Sequence, residues 1–167
     1  MKIDTSKLSE RTINLLIEAG WDKNRDVSSQ VKYPKNDFEY PNFLREILNN
    51  IYGLEIDSVM TDFVEDGQIR RINTGITIID PMLAEGENEE NSLFNYYSNK
   101  LKTNLYPLGE TGEGYFYLAI DSNAALYMLG SPVFKMDDDF NKGLEKLLTG
   151  QKGKKLNDIC IPYCNLP

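Results

Sequence analysis

The sequence contains no histidine, and its 167 residues include only two cysteines and one tryptophan. Without histidine the chain lacks the commonest general base, the commonest metal ligand and the partner that activates serine or cysteine in nucleophilic pairs. Cys160 and Cys164 are too few for a thiolate zinc site, and their spacing is not the C-x-x-C of redox motifs. They read as reduced thiols of a cytosolic protein. Positive charge is also short: 18 Lys plus Arg face 26 Asp plus Glu, a formal charge of −8, with an isoelectric point near 4.6. Such a balance repels phosphate backbones and anionic headgroups, which argues against direct nucleic-acid binding and against membrane adsorption. No apolar run approaches the ~18 residues of a membrane span, and Asp4, Glu10, Arg11 and Glu18 break any secretory segment near the start. The expectation is a cytoplasmic chain forming one domain over residues 1–167, since single cores span ~100–200 residues.

What is present is patterned for an α+β fold. Ser6 caps a predicted helix from about Lys7 to Ala19, with Ile13, Leu16 and Ile17 on one buried stripe; Gly20 ends it and Trp21 folds back on its last turn. Residues 22–40 read as a connector with a short strand around Val27–Tyr33. A second helix starts at Pro41, buries Phe43, Leu44, Ile47, Leu48 and Ile51, and closes at Gly53. From Leu54 the period drops to two, with Leu54, Ile56, Ser58 and Met60 on one side. Asp66-Gly67 signals a hairpin into a strand over Ile69–Ile79, which Asp80-Pro81 ends. Ala84–Asn91 reads as a loop. A helix over about Ser92–Leu101 turns Leu93, Tyr96, Tyr97 and Leu101 inward. Strands follow at Asn104–Leu108, Tyr115–Asp121 and Ala124–Leu129, the last two joined by a turn in which Asn123 takes positive φ. Asp137, Asp138 and Asp139 open a final helix carrying Phe140, Leu144, Leu147 and Leu148, which Gly150 stops. Ile159, Ile161 and Tyr163 alternate in the tail. Adjacent strands bracketed by about four helices predict a mostly antiparallel or mixed sheet rather than a doubly wound fold.

No motif makes a catalytic or cofactor site. Gly109-Glu110-Thr111-Gly112-Glu113-Gly114 is not in G-x-G-x-x-G order, lacks a following Lys-Ser/Thr, and sets two glutamates where phosphate would lie. Counted from Asp137, a calcium loop would need Gly and Glu where Lys142 and Leu148 stand. The carboxylate pairs Glu65/Asp66 and Glu110/Glu113 fall in polar turns and read as solvated surface. Tyr115, Tyr117 and Tyr127 alternate with apolar neighbours, which predicts core packing with each hydroxyl at the rim. The distribution of charge is more informative. Between Glu55 and Glu90 ten acids face only Arg70 and Arg71, so this stretch holds the whole net charge. It reads either as a solvated face or as a docking surface for a basic protein. On the second reading the contact residues are Asp57, Asp62, Phe63, Glu65, Asp66, Glu85, Glu87, Glu89 and Glu90, with Phe63 or Tyr97 as aromatic anchors.

Several of these segments, in this order, resemble one known family. Glu18-Ala19-Gly20-Trp21 followed by Arg25-Asp26-Val27 resembles the opening of the SUKH superfamily, in its bacterial immunity-protein subgroup. Phe43-Leu44 through Gly53-Leu54, Ile79-Asp80-Pro81 and Leu105-Tyr106-Pro107-Leu108-Gly109 are similar to its following segments. So are Tyr117-Leu118-Ala119-Ile120-Asp121 with Leu126-Tyr127 and the last helix to Gly150. The resemblance covers about residues 13–150 and leaves 151–167 as a C-terminal extension. Where the family usually has glycine in the hairpin turn, this chain has Asn123-Ala124. The resemblance implies an α+β SUKH-like domain that binds and neutralises a cognate bacterial polymorphic toxin, often a nuclease, in the producing cell, with no catalytic residues and no cofactor. The competing expectation is a regulatory or scaffolding adaptor for a basic housekeeping protein.

Overall fold

In the computed structural model, residues 2–34, 39–57, 61–65, 68–72, 75–84 and 93–156 are described. Asp4 caps a 3-10 turn at Thr5–Lys7, its carboxylate accepting from the Ser6 N–H at 3.1 Å. Leu8 is then extended, so the first α-helix, α1 (Glu10–Glu18), begins later than predicted and is capped by Ser9 rather than Ser6. The Ser9 hydroxyl accepts from the Thr12 N–H at 3.3 Å. This later start turns Thr12 and Leu16 inward and leaves Ile17 54% exposed, outside the stripe predicted for it. Gly20 takes φ +92° and the Trp21 N–H returns to the Leu16 carbonyl at 2.8 Å, the predicted closure.

Pro41 stands at the N-cap of α2 (Asn42–Ile51), which buries Leu44, Ile47, Leu48 and Ile51 and half-buries Phe43. No strand forms over Val27–Tyr33. The Val27 N–H instead reaches the Asn49 carbonyl and the Gln30 N–H reaches Val27, each at 2.8 Å, so a helix end and a turn take donors that a ladder would need. Nearby, the Arg25 guanidinium donates to the carbonyls of Asn50 (3.2 Å) and Tyr52 (2.8 Å). The Trp21 indole donates to Asn50 Oδ1 at 3.0 Å, and Asn50 Nδ2 donates back to the Arg25 carbonyl at 2.9 Å. The Ala-Gly-Trp and Arg-Asp-Val segments therefore form the clasp that satisfies the last carbonyls of α2, groups that a helix end leaves unpaired.

The described residues form nine strands. They are β1 (Glu55–Asp57), β2 (Thr61–Glu65), β3 (Gln68–Ile72), β4 (Ile76–Ile78), β5 (Leu105–Thr111), β6 (Phe116–Asp121), β7 (Leu126–Leu129), β8 (Val133–Asp137) and β9 (Lys154–Leu156). Seven make one sheet in the order β1-β4-β5-β6-β7-β8-β9, every pair antiparallel, while β2 and β3 pair only with each other. The strand predicted over Ile69–Ile79 is thus two strands in two sheets. Glu65 lies opposite Gln68, while the Asp66-Gly67 turn predicted from the sequence and Ser58–Met60 lie outside the described residues. Sequence reading passed over β8 and β9. Lys154–Leu156 completes one edge of the sheet, within the segment read as an extension. The tail positions Ile159, Ile161 and Tyr163, the two cysteines and most of the Ala84–Asn91 loop lie outside the described residues.

Helices cover both faces of the sheet. On one face Leu44, Ile47 and Leu48 of α2, with Phe140, Leu144 and Leu147 of α4 (Phe140–Thr149), pack with Ile56, Leu118, Ile120, Leu126 and Met128. On the other, Phe94 and Tyr97 of α3 (Leu93–Leu101) pack with Leu105, Ala119, Tyr127 and Leu129. The run Leu126-Tyr127-Met128-Leu129 is buried throughout because each face of β7 meets a core. Tyr97 is fully buried and its hydroxyl donates to the Gly130 carbonyl at 3.1 Å, which removes it as an exposed anchor. At Asp121 the carboxylate accepts from the N–H of Asn123 (2.8 Å) and Ala125 (3.0 Å) and from the Tyr127 hydroxyl (3.1 Å). This arrangement puts the positive φ on Ala124 (+66°), not on Asn123. Of the three aspartates before α4, only Asp139 acts at the helix start. Asp139 caps the helix, accepting from the N–H groups of Asn141 and Lys142, while Asp137 pairs with Lys146 and Asp138 with Lys135.

Candidate functional site

The acidic stretch of the sequence is divided by strand direction. Asp57 ends β1 opposite Ile76, the first residue of β4, so the segment carrying β2 and β3 leaves and rejoins the sheet at one end, its rim. β4 then runs away from that rim to Asp80, whose carboxylate accepts from the Met82 N–H at 2.9 Å and opens the 3-10 turn Pro81–Ala84. Asp57 is exposed at the rim, and Asp62, Phe63 and Glu65 stand on β2, with Asp62 opposite Arg71 and Phe63 opposite Arg70. Asp66, Glu85, Glu87, Glu89 and Glu90 lie outside the described residues.

The structure adds residues to this rim that the charge count did not single out. Thr77 pairs with Thr111, their hydroxyls 2.8 Å apart and buried, which joins β4 to the β5–β6 hairpin. Gly75 packs against that hairpin, where a Cβ would stand at ordinary contact distance, 3.5 Å, from Gly112 Cα. Gly109 permits the approach lower down, where a Cβ would overlap the Ile78 carbonyl oxygen. The Tyr115 N–H closes the hairpin turn on the Gly112 carbonyl at 3.1 Å. Tyr115 is 80% exposed and Ile76 44% exposed. Tyr115 thus departs from the core packing that its alternation suggests, because β6 begins only at Phe116 and Tyr115 belongs to the turn.

The carboxylates around this pair follow the ladder. Register partners share a face, and the row Glu55, Ile78, Glu110, Tyr117, Leu129 crosses the sheet on the face that α3 covers. Phe94 of α3 reaches Tyr117, ring centroids 6.3 Å apart. Beyond that contact the row passes through half-buried Glu110 and Ile78 to exposed Glu55, and Asp57 and Ile76 form the next row outward. Glu113, exposed at the hairpin tip, completes the frame. The one early signal for these residues was the glycine-rich run 109–114, which marked a tight turn.

Among the described residues no group of three or more His, Cys, Asp or Glu side chains is placed to hold a metal ion. No helix among them is long and apolar enough to cross a membrane. The family model for the SUKH-3 immunity protein matches residues 8–150, and the chain belongs to that family. No curated protein and no solved structure matches the chain. Membership gives it the role of an immunity protein, whose partner is a cognate toxin.

Proposed function

We propose that this immunity protein neutralises a basic toxin of a polymorphic system, a nuclease, by stoichiometric binding in the cytoplasm of the cell that makes it. Family membership over residues 8–150 supports the role, and the placement of charge supports the chemistry of the partner: ten acids against two arginines between Glu55 and Glu90. A nuclease must attract phosphate and so carries surplus Lys and Arg. An acidic inhibitor meets such a surface at rates raised by long-range attraction. Binding, not turnover, is the proposed mode of action.

The test is co-expression with the toxin domain encoded by the neighbouring gene, scored for growth. Rescue by this chain is the expected result. With purified components the association rate should fall at least ~10-fold between ~20 and ~300 mM salt. A rate flat across that range would remove the acidic surface from the mechanism, and failure to rescue would remove the toxin assignment.

A further inference from the structure

We infer that Tyr115 is the buried anchor of the toxin interface, seated with Ile76 at the sheet rim and closed over by a cationic protein surface; this rests on the proposed function. An aromatic ring 80% exposed at a hairpin tip, and an isoleucine 44% exposed next to the Thr77 that pairs with that hairpin, leave apolar area in water that a partner would cover. Tyrosine is among the residues on which binding energy concentrates, because it buries a large area with few rotors to immobilise. The anchor is also pre-organised. The Gly112–Tyr115 hydrogen bond, the Thr77–Thr111 pair and the packing of Gly75 on Gly112 hold the hairpin and β4 together before any partner arrives.

Charge selects the occupant. Exposed Asp57 is the ladder partner of Ile76, exposed Glu113 lies two residues before Tyr115 in the same turn, and half-buried Glu110 pairs with Tyr117 one ladder step inward. A partner seated on Tyr115 must bring Lys or Arg to meet them, and a guanidinium or ammonium over the ring gains a cation–π contact as well. A second copy of this chain would set the same carboxylates against their own kind, in a molecule already at −8.

The experiment measures association and dissociation of the full chain with a catalytically inactivated toxin domain from the neighbouring gene. Tyr115→Ala should weaken binding ~30-fold or more, through faster dissociation, and leave the association rate and its salt dependence within about twofold. Tyr115→Phe should restore most of the affinity. Asp57→Asn with Glu113→Gln should act oppositely, slowing association. An unchanged unfolding midpoint for Tyr115→Ala, expected from its exposure, assigns the loss to the interface. If Tyr115→Ala binds within threefold of the parent while salt still slows association, this inference falls and the proposed function stands. If the parent does not bind the toxin domain, both fall. A concentration-dependent dimer abolished by Tyr115→Ala would assign the rim to self-association and overturn the inference.

Discussion

The Trp21 indole donates to Asn50 Oδ1 at 3.0 Å, while the same amide returns a hydrogen bond from Nδ2 to the Arg25 carbonyl at 2.9 Å. One buried amide thus joins a residue just past α1, the connector and the end of α2. Asn50→Ala leaves the indole N–H and the Arg25 carbonyl without these partners. The expected loss is ~2–4 kcal/mol, since each buried polar group left unsatisfied costs ~1–3 kcal/mol. A urea midpoint within error of the parent would show that the clasp holds without the amide.

Ala124 occupies a left-handed conformation, φ +66°, at the turn between β6 and β7. A Cβ in this region costs ~1–2 kcal/mol, offset in part by the entropy that glycine adds to the unfolded chain. Ala124→Gly should therefore stabilise the protein by ~0.5–1 kcal/mol. Thermal denaturation reads this directly, and a lower midpoint would refute it.

Gly143 sits inside α4, where alanine would gain ~0.5–1 kcal/mol of helix propensity. A Cβ there would lie 2.8 Å from Leu126 Cβ, an atom fixed to the backbone of β7. Overpacking a dense core costs ~1–3 kcal/mol, so Gly143→Ala should be net destabilising by about 1 kcal/mol. A stability gain would mean that α4 shifts from β7 without penalty.

Burial works to raise the carboxyl pKa values of Asp137 and Asp139, yet both lie below the ordinary 3.8. Lys146 and the Asp139 N–H hold Asp137 down, and Lys7 with the Lys142 and Asn141 N–H groups holds Asp139 down. A folded-state pKa below the unfolded one gives stability that is present above 3.8 and lost as pH falls through the folded value. Stability should hold steady above about pH 5 and decline below about pH 4. Asp139→Asn keeps a capping oxygen and removes the charge, so its acid limb should be shallower. Parallel acid curves for the two proteins would contradict this.

The elements legible in the sequence were those set by local chemistry. The Gly20-Trp21 closure, Pro41 before α2, and Asp139 and Gly150 around α4 each depend on a few neighbouring residues. The misread elements depended on distant partners. Ser6 and Ser9 are equivalent caps until Asp4 commits the chain to a 3-10 turn, with the Asp4 N–H held by Asn141 Oδ1 at 2.9 Å. Val27 looks like a strand residue until Asn49 takes its N–H. Val133–Asp137 was masked by the aspartates at its end, and Lys154–Leu156 pairs only because β8 lies beside it. The rim was legible only in its charge: Asp57 is there, but the β5–β6 hairpin carrying Glu113 and Tyr115 comes from more than fifty positions away, joined to β4 through the ladder.

Because Asp57 and Ile76 are ladder partners, the span carrying β2 and β3 begins and ends at a point the main sheet has already fixed. Lengthening or rewriting such a detour costs little, as chain-closure entropy rises only with the logarithm of its size. An immunity lineage chasing a changing toxin can revise that segment residue by residue while the scaffold keeps its shape.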